Sequence, residues 1–224
     1  MSGRVLAIGD IHGCDVALDV LLSKMELTAD DTVVVVGDVV DRGPSTRRAV
    51  NMLLDVQKTC ELIFILGNHE EMMFQAIHDH SWLESWLAFG GRETLMSYGG
   101  DFADIPENHL DFLRSGKNYW ETDSEIYIHA NLKPGVPLEQ QDAQWLRWNS
   151  LTGFETHHPS GKRVICGHSS QKSGIPAILD GWLCIDTWAY GAGFLTGLDL
   201  ATNEIYQTQQ SGRFRGPVML DQLA

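Results

Sequence analysis

Six potential metal ligands occur at or just after the ends of apolar segments of the sequence: Asp10, His12, Asp38, Asn68, His129 and His168. The set consists of hard oxygen donors and imidazoles, and it contains no thiolate. Such ligands suit divalent Mn, Fe or Zn, and on ligand type we expect Mn. Six protein ligands are too many for one open catalytic site. They suit two ions that share a bridging carboxylate and hold the attacking and leaving oxygens of an in-line displacement.

Three short motifs carry most of these side chains. Gly9–Gly13 has the pattern Gly-Asp-x-His-Gly, Gly37–Gly43 has Gly-Asp-x-x-Asp-Arg-Gly, and Gly67–Glu70 reads Gly-Asn-His-Glu, at intervals of roughly 25 residues. A single Gly-Asp after a strand is usually only a turn. Three such motifs in order, each after a predicted strand, make coincidence negligible.

The elements that must position these motifs form a repeating series. Apolar, β-branched runs predict strands at Val5–Ile8, Val33–Val36 and Leu62–Leu66. Helical spacing of apolar residues predicts helices at Asp15–Glu26 and Ser45–Lys58 between them. A β-α-β-α-β series predicts a parallel sheet, and open α/β sheets place their sites at the carboxyl ends of the strands.

The rest of the chain is predicted to be mixed. Residues 71–125 have an irregular helical pattern, in which we expect Trp82 and Trp86 to lie in the core. Further strands are predicted at Glu125–Ala130, Arg163–Gly167, Gly181–Asp186, Gly193–Leu200 and Glu204–Gln207. Short turns between the last three predict antiparallel pairing among them. We expect residues 208–224 to be a loosely held tail.

Composition narrows the class of protein. The 224 residues predict one α/β domain over 1–224, and the formal net charge of −14 argues against binding to nucleic acid. No apolar run approaches 18 residues, so no membrane span is predicted. The N-terminus leads directly into a strand without a signal-peptide pattern, and the four cysteines form no CxxC pair. We therefore expect a cytoplasmic protein with reduced thiols.

The three motifs resemble the signature blocks of the phosphoprotein phosphatase family of metallophosphoesterases. The resemblance is strongest to the small prokaryotic and phage serine/threonine phosphatases, and diadenosine tetraphosphate hydrolases share the blocks. It extends over about residues 5–200 through five further segments: Gly90–Gly99, Tyr127–Leu138, Trp145–Arg147, Cys166–His168 and Ile185–Thr187.

This resemblance implies an α/β fold, the calcineurin-like four-layer αββα sandwich with mixed sheets, and residue roles. Asp10, His12 and Asp38 would hold one divalent ion, and Asp38 would bridge to a second ion held by Asn68, His129 and His168. His69 would be the general acid, oriented by Asp41, and Arg42 and Arg147 would bind phosphate oxygens. Trp188 stands where the family usually has glycine, which leaves specificity open.

The function expected from these roles is two-metal hydrolysis of phosphomonoesters by direct attack of a metal-bridging hydroxide, with serine/threonine phosphoproteins as the leading substrates. One alternative is hydrolysis of diadenosine tetraphosphate or a related nucleotide by the same site. The other is a metal-binding regulatory subunit without turnover, which would gain nothing obvious from keeping Asp41 and His69.

Overall fold

The computed structural model describes residues 3–222, which form twelve strands and seven α-helices. The strands are β1 (Val5–Ile8), β2 (Thr32–Val35), β3 (Glu61–Phe64), β4 (Trp120–Glu121), β5 (Glu125–Tyr127), β6 (Arg163–Cys166), β7 (Ala177–Leu179), β8 (Trp182–Cys184), β9 (Asp186–Thr187), β10 (Phe194–Asp199), β11 (Glu204–Thr208) and β12 (Phe214–Met219). The helices are α1 (Asp15–Met25), α2 (Thr46–Thr59), α3 (Asn68–His78), α4 (Leu83–Trp86), α5 (Arg92–Tyr98), α6 (Glu107–Arg114) and α7 (Ala143–Trp148).

The strands form two mixed sheets. The first has the order β12-β11-β10-β1-β2-β3, with β9 also paired to β10. Its β1, β2 and β3 are parallel, as the β-α-β-α-β series predicts, whereas β10 runs antiparallel to β1. The second sheet has the order β4-β5-β6-β8-β7, and β5, β6 and β8 are its parallel strands.

Alternation along β1 explains how the layers pack. Leu6 and Ile8 belong to the core shared with α1 and α2, whereas Ala7 belongs to the apolar layer between the sheets. Tyr127 and Ile165 meet that middle layer from the second sheet. Because both faces of the central strands are covered, they are apolar throughout rather than alternating with polar residues.

The outer face of the second sheet is covered less regularly. Ile126, Val164 and Cys184 pack there with Leu138 and Leu146, which lie on a 3₁₀ turn and on α7. The predicted αββα sandwich with mixed sheets is therefore confirmed, and short helical segments and loops form its fourth layer.

Two expectations about the later part of the chain are wrong. The segment Gly181–Asp186 does not pair antiparallel with the strands that follow it along its length, because β8 runs parallel to β6 in the second sheet. Only Asp186, in β9, pairs with β10. Residues 214–219 are not loosely held, because β12 pairs with β11 at the edge of the first sheet. Leu223 and Ala224 lie outside the described residues.

Between residues 68 and 114 the chain is helical, through α3 to α6, two 3₁₀ turns and a π-helical segment at Leu87–Gly91. No helix within residues 3–222 combines the length and the apolarity needed to cross a membrane. The four cysteines are buried and free.

Candidate metal centre and active site

Loops that leave the carboxyl ends of β1, β2, β3, β5 and β6 bring the predicted ligands together. Five site residues in these loops have left-handed backbone conformations, with φ from 47° to 73°: His12, Asp38, Asp41, Arg42 and His168. Such conformations are costly for residues other than glycine, and they persist where surrounding contacts fix them. Five of the eight non-glycine residues with positive φ within residues 3–222 thus lie at the candidate site.

Asp38 lies at the centre of the cluster. Its Oδ2 atom is 3.6 Å from Nε2 of His12 and 3.4 Å from Nε2 of His129. The ligand atoms of Asp38, His129 and His168 lie within 4.8 Å of one another, as do those of Asp38, His12 and His69. A carboxylate between two groups of imidazoles is the arrangement that a bridging ligand requires.

Asn68 completes one side of the cluster. Its Oδ1 atom lies 3.0 Å from Nε2 of His129 and 3.0 Å from Nδ1 of His168. With Oδ2 of Asp38, these atoms form a set of four converging donors.

Each predicted histidine ligand is oriented from behind by a backbone carbonyl. Nδ1 of His12 donates to the carbonyl of Val40 at 2.9 Å, and Nδ1 of His129 donates to that of Val36 at 2.8 Å. Nε2 of His168 donates to the carbonyl of Trp148 at 3.0 Å. A hydrogen bond of this kind selects the tautomer and directs the other ring nitrogen, with its lone pair, into the cluster.

Protonation of two of these rings is disfavoured. Burial lowers the pKa of His12 well below its ordinary value. Burial, and then the charge of His129, lowers the pKa of His168 to about 4. Neutral imidazoles are the form that binds metal. His129 differs, because its pKa is raised: burial lowers it, but the charge of Asp38 and a hydrogen bond to that residue outweigh the burial.

Asp10 supplies the clearest indication of a cation. It is 2% exposed, and its Oδ2 accepts from the backbone N–H of His168, whereas Oδ1 is buried without a hydrogen-bond partner. Burial, and then the charges of Asp186 and Asp38, raises the pKa of Asp10 well above its ordinary value. A buried carboxylate oxygen without a donor is unfavourable, and a cation would satisfy it.

Glycine is required beside two of these side chains. A Cβ atom at Gly167 would lie 1.9 Å from Oδ1 of Asp10, and one at Gly37 would lie 2.4 Å from Nδ1 of His129. Gly37 also has a φ of 111°, which glycine adopts without strain. These glycines therefore let the ligand loops approach each other closely. The donor set and the unpartnered Asp10 oxygen together fit two divalent ions.

Asp186 was not predicted as a site residue, although it lies in a segment that the resemblance covers. It is 3% exposed and its Oδ1 accepts from the backbone N–H of Trp188 and from Ser170. Burial, together with the charge of Asp38, raises its pKa to about 6. Asp186 is thus a further carboxylate behind Asp10, which adds to the negative potential that a cation would offset.

His69 and Asp41 form the predicted pair. Nδ1 of His69 lies 2.7 Å from Oδ2 of Asp41, and both residues are buried. Two residues that the sequence did not indicate hold Asp41: Trp86 donates its indole N–H to Oδ2 at 2.9 Å, and Thr94 donates its hydroxyl to Oδ1 at 2.8 Å. Trp86 is buried as expected, but Trp82 is 51% exposed, so the expectation of a core pair is wrong for Trp82.

Arg42 lies against the cluster. Its Nη1 atom is 3.2 Å from Nε2 of His12, and its guanidinium lies over the ring of Tyr190, 4.6 Å from the ring centre. Tyr190 also contacts the His12 ring edge-on at 4.9 Å between centroids. No sequence pattern indicated Tyr190. It limits where the Arg42 side chain can lie.

Arg147 is held by two side chains. Its Nε is 2.5 Å from Oε2 of Glu71, and its Nη1 donates to Oδ1 of Asn118 at 2.6 Å. The structure therefore places Arg147 next to α3, in an ion pair that the sequence did not predict.

Glu70 is the remaining unpredicted member of the site. Its carboxylate accepts four backbone N–H groups, from Gly67, Asp38, Val39 and Val40, at 2.7–3.1 Å. It therefore connects the first turn of α3, which carries Asn68 and His69, to the loop that carries Asp38 and Asp41. A glutamate at the third position of a helix commonly bonds back to the residue before the helix, and that local signal was present in the sequence.

Residues 3–178 match the family model described as calcineurin-like phosphoesterase. Curated relatives named symmetrical bis(5'-nucleosyl)-tetraphosphatase include one from Stutzerimonas stutzeri (27% identity over 137 residues, 60% of this chain and 46% of the relative). Others are from Pseudomonas putida strain GB-1 (34% over 139 residues; 60% and 44%) and Neisseria gonorrhoeae (26% over 182 residues; 78% and 57%). The chain thus spans about half the length of these relatives.

Solved structures share the fold. One, provisionally assigned as a diadenosine tetraphosphatase, superimposes with a TM-score of 0.72 at 19% identity, covering 93% of this chain and 94% of the other. A Saccharomyces cerevisiae protein serine/threonine phosphatase gives 0.63 at 13% identity, covering 93% and 80%. A cold-active protein-tyrosine phosphatase of a Shewanella species gives 0.62 at 16%, covering 97% and 81%.

Proposed function

The chain belongs to the calcineurin-like phosphoesterase family, and on that premise we propose that it hydrolyses symmetrical dinucleoside tetraphosphates such as diadenosine tetraphosphate. Phosphoester hydrolysis is supported by the ligand cluster around Asp38, next to the His69–Asp41 pair. The choice of substrate is supported by the curated relatives, which carry the name of such hydrolases. The sequence favoured phosphoproteins as substrates. The three curated relatives named above are called tetraphosphatases, and none of the three is called a phosphoprotein phosphatase.

In this proposal the cluster holds two divalent ions, for which Mn is the first choice and Fe or Zn are alternatives. Asp10, His12 and Asp38 would hold one, and Asp38, Asn68, His129 and His168 the other. When bound, two such ions polarise phosphoryl oxygens and lower the pKa of water, which provides a nucleophile near neutral pH. They would also offset locally the net charge of −14, which otherwise repels an anionic substrate.

The protein residues have separate tasks. Arg42 binds oxygens of the reacting phosphate, because its permanently charged guanidinium lies against the cluster. His69 holds a proton on Nε2 for the leaving group, since Nδ1 is occupied by Asp41. Arg147 would have to exchange Glu71 or Asn118 for a phosphate oxygen in order to bind one.

Symmetrical hydrolysis breaks the central P–O–P linkage and adds one water, so that two nucleoside diphosphates form. The leaving group is then a nucleoside diphosphate, which departs through a terminal phosphate whose last pKa is about 6. It needs protonation less than a serine alkoxide does. The same site could therefore act on phosphoproteins only if His69 contributes more strongly to that reaction.

A turnover panel tests the proposal. Purified protein with Mn²⁺ is assayed on diadenosine tetraphosphate and on phosphoserine, phosphothreonine and phosphotyrosine peptides. We expect kcat/KM to be highest for the dinucleotide, with ADP as the only nucleotide product by anion-exchange chromatography. Products of AMP plus ATP, or a preference for any of the phosphopeptides, would contradict the assignment.

A further inference from the structure

A cavity lies beside the candidate active site, and residues that line it bond to Arg147, His168 and Asp41. It has a volume of about 410 Å³, and residues from α3, the 3₁₀ turn His80–Trp82, α4, the π-helical segment and α7 line it. The residues that matter for its chemistry are Glu71, Gln75, Trp82, Ser85, Phe89 and Trp148.

The cavity continues one face of α3 away from the site. Asn68, Glu71 and Gln75 are spaced three and four residues apart, so their side chains lie on the same side of the helix. From Asn68 to Gln75 the helix rises about 10 Å. A group that enters the cavity can therefore belong to a molecule whose phosphate lies at the cluster.

Three residues that line the cavity, Glu71, Trp148 and Trp86, bond to predicted site residues. Glu71 pairs with Arg147, and the backbone carbonyl of Trp148 accepts from His168. Trp86 also lines the cavity, and it donates its indole N–H to Asp41. The cavity is thus part of the same structural unit as the catalytic centre rather than a separate surface feature.

Two exposed aromatic side chains of the cavity, Trp82 and Phe89, have no aromatic partner within residues 3–222. Trp82 is 51% exposed and Phe89 is 54% exposed. In the described part of the chain, neither ring stacks on another ring, and Trp148 also makes no ring–ring contact. Exposed aromatic rings around a cavity provide faces on which a flat ligand can stack.

Polar groups are available beside these rings. The side chains of Gln75 and Ser85 line the cavity, and neither makes a hydrogen bond to another side chain or backbone group within residues 3–222. The carboxylate of Glu71 also lines the cavity, where it is ion-paired with Arg147 and accepts from the indole N–H of Trp148. The cavity therefore combines aromatic faces with two uncharged hydrogen-bonding groups and an ion-paired carboxylate, which matches a heteroaromatic ring with a polar edge better than an aliphatic side chain.

We propose that this cavity binds a nucleobase of the substrate, stacked against Trp82 and Phe89 while its phosphate chain reaches the metal centre. The inference rests on the proposed function, because it assumes a nucleotide substrate. It identifies Trp82 and Phe89 as residues that select nucleotides over other phosphoesters. An apolar side chain of a phosphopeptide is the competing occupant, and the experiment below separates the two.

The test compares three substrates and two readouts. kcat/KM is measured for diadenosine tetraphosphate, for p-nitrophenyl phosphate and for a phosphoserine peptide, and ADP binding is measured by isothermal titration calorimetry. Trp82→Ala and Phe89→Ala are each expected to lower the ratio of kcat/KM for the dinucleotide to that for the aryl ester by roughly 5- to 100-fold, the usual effect of removing one base-stacking ring. ADP binding should weaken by a similar factor, and Trp82→Phe should retain most of both.

Phe154→Ala is the matched control. Phe154 is an aromatic residue that is 89% exposed and lies outside this cavity. Its substitution should leave the ratio and ADP binding unchanged. Thermal unfolding of every variant establishes that it is folded.

The outcomes are distinct. If wild-type protein hydrolyses the dinucleotide but neither alanine variant changes the ratio or ADP binding, the nucleobase assignment is wrong and the proposed function stands. If both variants reduce turnover of a phosphoserine peptide as much as that of the dinucleotide, the cavity does not select nucleobases. If wild-type protein does not hydrolyse the dinucleotide at all, both proposals fail together.

Discussion

His69 and Asp41 make a direct contact of 2.7 Å between Nδ1 and Oδ2, and each is at most 1% exposed. The same carboxylate also accepts from Trp86 and Thr94, so it cannot rotate away from the imidazole without losing those bonds. The contact fixes the ring and leaves Nε2 to face the ligand cluster. A side chain held in this way is suited to deliver a proton repeatedly from one position.

His69→Asn should lower kcat in proportion to how much the leaving group needs a proton. For phenyl phosphate we expect a loss of roughly 10²–10⁴, the usual contribution of a general acid. For p-nitrophenyl phosphate, whose leaving group is more acidic, the loss should be smaller. Steady-state kinetics on both esters provides the measurement, and metal content should remain that of the wild type. Equal losses on the two esters would contradict the role of His69.

Asp38→Asn should lower the occupancy of both metal positions, because Asp38 lies between His12 and His129. Asn68→Ala provides the comparison, since Asn68 hydrogen-bonds to His129 and His168, which are predicted to hold the same ion. It should lower the occupancy of one position. Elemental analysis after dialysis against Mn²⁺ and desalting checks both variants. Loss of a single ion in Asp38→Asn would argue against a bridging role.

Glu70→Gln should destabilise the fold, because an amide cannot accept all four backbone N–H groups that the carboxylate accepts. We expect the free energy of unfolding to fall by roughly 2–5 kcal/mol. Urea denaturation followed by circular dichroism provides the value. Glu84→Gln, on an exposed position of α4, should change it by less than about 0.5 kcal/mol. A small effect at Glu70 would mean that the two loops are held by other contacts.

Asp31→Asn should make the free energy of unfolding less dependent on pH in the acidic range. The Arg4 side chain holds the pKa of Asp31 well below its ordinary value, and the backbone N–H groups of Thr28 and Arg4 act in the same direction. A depressed pKa stabilises the folded state fully above the unfolded value of about 3.9, and the contribution is lost as the pH falls below it.

The wild type should therefore be more stable than Asp31→Asn at pH 7, by roughly 1–3 kcal/mol. This difference in the free energy of unfolding should narrow between pH 4 and pH 2.5. Urea titrations at several pH values measure it. A difference that stays constant or widens on acidification would show that the ionised carboxylate is not the stabilising group.

The sequence predicted the central strands and the convergence of the candidate ligand side chains because both depend on local patterns. Residues 32–36, which include β2, are a run of β-branched residues between Asp31 and Gly37, and such a segment has few alternatives to a buried strand. Parallel strands bring their carboxyl ends to one edge of a sheet. The side chains after β1, β2 and β3 therefore meet without any further information.

The residues that position the site escaped prediction because their contacts are distant in the chain. Trp86 and Thr94 reach Asp41 across 45 and 53 residues, and Glu71 reaches Arg147 across 76. Hydrophobic periodicity carries no information on such pairs. Only the tertiary structure reveals which polar side chain each of them meets.

The errors in the later strands have similar causes. Short turns suggested a simple meander, but β7 supplies the antiparallel neighbour of β8 and leaves its other edge for β6. β12 contains Pro217, which argues against a central strand but is compatible with an edge strand. In both places the pairing partner, rather than the local sequence, determined the structure.

The number of ions needed for activity tests the central claim most directly. Metal-free protein, prepared by chelation and desalting, is titrated with Mn²⁺ while hydrolysis of diadenosine tetraphosphate and bound manganese are both measured. We predict no activity before addition, and a plateau when about two ions are bound per chain. Full activity in the chelated protein, or a plateau at one bound ion, would contradict a two-metal site centred on Asp38.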